Sequence, residues 1–83
     1  MAMSFWSPQF EKALNLAIGL DQDAYEKISS ARHQAKQNFS GSSATTAAQV
    51  LRNLNEQLRA RRELRLKPLI LEIESLLGIL RGD

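Results

Sequence analysis

TAAQVLRNLNEQLRARRELRLK, residues Thr46–Lys67, is the longest run of this chain with a clear helical period. Ala47, Val50, Leu51, Leu54 and Leu58 recur at steps of three and four, which places them on one face of an α-helix. Thr46 with Gln49 three residues later has the spacing of a capping box and is read as the helix start. The same steps then lead to Arg61 and Arg65. An apolar stripe that runs into two guanidinium groups is the feature any functional reading has to explain.

Downstream, Pro68 interrupts the pattern, because proline removes a backbone donor and crowds the preceding turn. The stripe nevertheless resumes in register through Arg65, Leu69, Ile73, Leu76 and Leu80. That continuity predicts one long kinked helix from Thr46 to about Arg81, with Gly82 just past its end. In the segment LILEIESLLGIL, Leu69, Ile73, Leu76 and Leu80 form the inner stripe. Ile70 and Leu77 widen it, and Leu71 and Ile79 point largely the other way. A helix apolar around most of its girth is expected to be covered around most of its girth.

Upstream, Ser7-Pro8 reads as a helix start, since serine caps free amides and proline suits the first turn. Phe10, Ala13, Leu14, Ala17 and Ile18 supply its apolar face, widened by Leu16 and Leu20. The turn Leu20-Asp21-Gln22-Asp23 ends or bends it. Asp23 with Glu26 fits a second capping box. The helix it opens has a narrow, alanine-rich face of Ala24, Ile28, Ala31 and Ala35, with Phe39 at its end. Ser40–Ser43 (SGSS) reads as a loop.

These segments predict an all-α fold, a small antiparallel helical hairpin or bundle of three to four helical segments. Residues 1–7 form a lead-in, with Phe5 and Trp6 folding back to cap the core or, alternatively, serving as an anchor for a partner. Residues 8–83 form a single helical domain with a loop at about 39–45. With 83 residues the chain has room for one small domain and a thin core. It has no cysteine, so neither disulfides nor thiolate metal sites can reinforce that core. Association with a partner is the remaining supplement.

The start MAMSFWSPQF lacks the charged and apolar regions of a secretory signal, and Leu69–Leu80 is too short and too charged to span a bilayer. The expectation is a cytoplasmic protein without a membrane span. No enzymatic constellation is expected: His33 stands alone on the polar side of its helix, and Glu72 and Glu74 diverge at a spacing of two. No cofactor and no metal site are expected.

Net charge is +2, but residues 52–67 carry six Lys/Arg against two Glu. Within this basic cluster, Arg59–Lys67, some cations have helical partners: Arg59 follows Glu56 by three and Lys67 follows Glu63 by four. Arg61, Arg62 and Arg65 have none at those spacings, Glu63 being adjacent in sequence but not in space on a continuous helix. Their stems can simply lie along uncovered apolar surface. Alternatively they meet acids across an interface, such as Glu72 or Glu74 of another chain.

The expected function is therefore a small protein–protein interaction module: an adaptor, a chaperone-like protein or an assembly subunit that binds itself or another protein. Its candidate interface is Arg61, Arg65, Leu69, Leu71, Ile73, Leu76, Ile79 and Leu80. The alternative is a small nucleic-acid-associated regulator using Arg61, Arg62 and Arg65 on phosphates.

Overall fold

The structure, a computed structural model, describes residues 7–37 and 41–80. It is all-α: α1 (Ser7–Leu20), α2 (Gln22–Gln37), α3 (Gly41–Arg61) and α4 (Lys67–Leu80), with a 3-10 turn at Leu64–Leu66 before α4. There is no strand among the described residues. The helices form a closed ring in which each packs against its two neighbours, α4 closing on α1. Among the described residues no helix is long and apolar enough to cross a membrane.

The chain reverses at Asp21. Glu11 and Arg32 lie on either side of it and approach to 3.7 Å, so α1 and α2 are antiparallel. Arg61 and Arg65 reach from the α3–α4 connection to Asp21 and the Leu20 carbonyl. Both connections therefore lie at one end of the bundle, as an up-and-down topology requires.

The core is one cluster. Phe10, Ala13, Leu14 and Ala17 come from α1, and Ala24, Ile28, Ala31 and Ala35 from α2. From α3 come Ala47, Ala48, Leu51, Leu54 and Leu58; Leu66, Leu69, Ile73, Leu76 and Leu80 complete it. The alanine-rich face of α2 makes sense here. Its most extensive packing is against α3, which also buries alanines, Ala47 and Ala48, and small side chains on both helices permit close approach. What such a pair lacks in apolar area per residue is supplied by the leucine-rich α4 and the aromatic Phe10.

Several sequence expectations are corrected. Ile18 is not a core residue but 62% exposed; Leu20, half-buried against the core, continues the α1 stripe instead. α2 begins at Gln22, two residues before Asp23 would have started it, because the cap is Asp21. Its carboxylate accepts the Ala24 amide at 3.0 Å, while its carbonyl accepts the Tyr25 amide at 3.1 Å. α3 starts at Gly41, so the expected loop over 39–45 is helical from Gly41 onward and Thr46 lies inside the helix. Glycine and serine suit helix ends better than interiors, and a loop reading that weighs only composition misses this. Phe5, Trp6, Phe39 and Gly82 lie outside the described residues.

The largest correction concerns the long kinked helix. α3 stops at Arg61, and Arg62 takes the left-handed conformation, φ 55°. The Arg62 amide closes the turn on the Arg59 carbonyl at 3.1 Å. Glu63 is extended (φ −101°, ψ 122°), and one 3-10 turn leads into α4. Pro68 neither kinks nor ends a helix: it sits in the first turn of α4, where its missing N–H has no intrahelical acceptor to lose. The apparent register through Arg61 and Arg65 was a coincidence of spacing. The true stripe restarts at Leu66 and continues through Leu69, Ile73, Leu76 and Leu80, all buried.

One polar side chain breaks the core. Asn55 is 6% exposed, and its Oδ1 accepts no hydrogen bond within the described residues. A buried acceptor without a donor costs about 1–3 kcal/mol. Asn55→Leu, of similar shape, is expected to raise stability by about 1 kcal/mol. That would raise Tm by about 4–8 °C for a domain of this size. Thermal unfolding followed by circular dichroism checks this, and an unchanged or lowered Tm would show that Asn55 is satisfied in solution.

Candidate interaction site

The basic cluster folds into two groups facing different ways. The first is a clamp across the bundle end. The Arg61 guanidinium donates to Asp21 Oδ1 at 2.8 Å and, through Nε, to Glu63 Oε2 at 3.1 Å. Arg65 donates through Nε to Glu63 Oε1 at 2.8 Å and through Nη1 to the Leu20 carbonyl at 2.9 Å. Glu63 thus sits between two arginines, in space as well as in sequence, because the chain is not helical where it occurs. This corrects the expectation that Arg61 and Arg65 lack local partners.

Electrostatics follow the geometry. The hydrogen bond from Arg61, and after it the Ala24 amide, holds the Asp21 carboxyl below its ordinary value. Arg61 first and Arg65 second do the same for Glu63, and both carboxylates push Arg61 upward. A carboxyl depressed in the folded state adds stability above its unfolded pKa and loses that contribution as pH falls through its folded pKa.

The second group lies on the outer side of the α3–α4 corner. Leu58, Arg59, Arg62, Glu63, Leu64, Lys67, Ile70 and Leu71 line an open cleft of about 420 Å³. Arg59 pairs with Glu74 of α4, not with Glu56 of its own helix. Arg62 and Lys67 make no ion pair with any described residue. Two of the cleft's apolar residues are largely exposed: Leu64 at 87% and Leu71 at 55%, whereas Leu58 belongs to the core and Ile70 is half-buried. Leu64 is outside because a single 3-10 turn cannot bury both Leu64 and Leu66, and Leu66 takes the core.

Of the residues expected at a partner interface, Leu69, Ile73, Leu76 and Leu80 are buried in the chain's own core. Ile79 is half-buried and Leu71 exposed. Of the arginines considered for phosphate contact, Arg61 and Arg65 are held by the clamp and Arg62 is uncommitted. Leu64 and Lys67 were not singled out by sequence reasoning. A readable signal for Leu64 existed: Leu66, not Leu64, falls three residues before Leu69 in the α4 stripe. His33 is exposed, and no group of three or more His, Cys, Asp or Glu among the described residues could hold a metal.

Compared with known proteins, the chain matches no family model, no curated protein and no solved structure. The functional reading therefore rests on this geometry.

Asp21→Ala removes the α2 cap and the Arg61 partner together, and is expected to cost about 1–2 kcal/mol. Asp21→Asn keeps a capping oxygen and should cost less, so the order wild type, Asn, Ala in urea midpoints checks the double role. A double-mutant cycle with Arg61→Ala isolates the coupling. In acid, the contribution of Asp21 and Glu63 is expected to be complete above about pH 5 and to be lost progressively as pH falls below about 4. Asp21→Asn should flatten that loss, which urea titrations at stepped pH measure directly.

Proposed function

We propose that this chain is a small helical protein–protein interaction module, in the manner of an adaptor, chaperone-like protein or assembly subunit, and that it binds through the outer side of the α3–α4 corner. The observation that carries the reading is the exposure of Leu64 and Leu71 on the same open cleft. Two large aliphatic side chains gain nothing from water, whereas burying each against a partner yields about 1.5–3 kcal/mol. Side chains that line one cleft can be buried by one partner. The role is one of binding rather than catalysis. Compared with the expectation that the whole of Leu69–Leu80 serves a partner, the surface narrows to Leu71 and moves toward Leu64, since the inner stripe is occupied within the chain.

The test compares the unaltered chain with Leu64→Glu and Leu71→Glu. Both positions are exposed, so each change should alter folding stability by no more than about 0.5 kcal/mol. Sedimentation equilibrium of the purified chain, together with crosslinking of the tagged chain in cells, should reveal a complex that either substitution diminishes at unchanged Tm. A monomer with no crosslinked partner, or complexes indifferent to both substitutions, would refute the proposal.

A further inference from the structure

The cleft at the α3–α4 corner has a charge character as well as an apolar one. Four ionisable residues line it: Arg59, Arg62, Glu63 and Lys67. Glu63 is occupied by Arg61 and Arg65, and Arg59 by Glu74. Arg62 and Lys67 are left with their full charge beside Leu64, Ile70 and Leu71. The uncommitted charge of the cleft is therefore wholly positive.

Arg62 carries a second observation. Its φ of 55° is a backbone conformation that glycine adopts without penalty and that an L-residue with a Cβ resists. It occupies the position just past the helix end where glycine is the usual residue. Arginine here is the costlier choice for the fold, and its side chain makes no ion pair that would compensate within the described residues. Strain kept at a surface position is a pointer to function.

We infer that the cleft receives an acidic amphipathic segment of another protein, with its apolar side chains between Leu64 and Leu71 and its carboxylates on Arg62 and Lys67. The inference rests on the interaction-module reading and specifies the partner's chemistry. Nucleic acid suits the cleft less well, because apolar walls would desolvate phosphates that only two cations could meet. A second copy of this chain suits it less well too. The chain's exposed large aliphatics are Ile18, Leu64 and Leu71 among the described residues. The carboxylates three or four residues from Ile18 and Leu71 are Asp21 and Glu74, both already paired with arginines, and Leu64 adjoins Glu63, also paired. Among the described residues, a second copy would bring only Glu72, next to Leu71, as a carboxylate without an ion pair beside an exposed aliphatic, one charge against the two cations of the cleft.

The test is selection of the full chain against a display library of random peptides about 15 residues long, enough to sustain a helix when bound. Enriched peptides should combine Leu, Ile, Phe or Met with Asp or Glu at helical spacing. Measured by fluorescence anisotropy, an enriched peptide should bind Arg62→Glu/Lys67→Glu about tenfold or more weakly, since like charges would now face each other. Lysine-for-acid versions of the peptide should recover affinity for that variant. Arg62→Gly should weaken binding severalfold while raising Tm, a combination that a purely structural arginine would not produce.

Enriched peptides that are apolar but neutral or basic would overturn the inference and leave the interaction-module reading standing. So would an absence of enriched peptides accompanied by self-association that Leu64→Glu abolishes, which makes the occupant a second copy. Tight binding of a short DNA duplex lost with Arg62→Glu would overturn it in favour of nucleic acid. Neither enrichment nor any complex sensitive to Leu64→Glu would end both readings.

Discussion

The Asp21 carboxylate accepts the Ala24 amide through one oxygen and the Arg61 guanidinium through the other. The first bond starts α2; the second fastens the α1–α2 turn to the α3–α4 connection. Single exposed ion pairs are worth little, because solvent screens them and long side chains lose freedom in forming them. This arrangement differs in being a network. Asp21, Arg61, Glu63, Arg65 and the Leu20 carbonyl share donors and acceptors, so each bond is made by groups that the others already hold in place. Its main effect is to set where the corner lies: with Arg61 and Arg65 drawn inward to the turn, Arg62 and Leu64 are directed away from it.

Much of the fold was legible because apolar spacing survives any uncertainty about helix ends. The faces Phe10–Ala17, Ala24–Ala35, Ala47–Leu58 and Leu69–Leu80 could be read as stripes, and the all-α class followed from them. What could not be read were the places where two physical rules competed. At Arg61–Arg65 the stripe seemed to continue, and nothing in the residue types announced a left-handed arginine where glycine is usual. At Gly41–Ser43 the same residues serve equally as loop and as first helical turn. At Asp21 and Asp23 two aspartates two residues apart could each cap α2; Asp21 takes the Ala24 amide, and Asp23 pairs with Lys27 instead.

The candidate site was legible in part for the same reason. The basic cluster was visible as a composition shift, but its division into a clamp and a cleft depends on the chain leaving the helix at Arg62. Once that break is known, the roles of Arg61 and Arg65 as inward-facing and of Arg62 and Lys67 as outward-facing follow. Asn55 was hidden differently. It neighbours Leu54 and Leu58 on a helix that packs on two sides, and a face drawn for one neighbour leaves it in solvent.

The corner between α3 and α4 also fixes a length. Leu66 follows Leu58 by eight positions, and both side chains are buried. The intervening residues form a helix end, a left-handed residue, one extended residue and most of a 3-10 turn. A residue added or removed there has to be taken up between Arg62 and Leu66, the part of the chain that is not α-helical, if Leu66 is to keep its place in the core. The corner's exposed side chains at Arg62, Leu64 and Lys67 can therefore change with little effect on the core, whereas a change in its residue count has to be absorbed between Arg61 and Leu66.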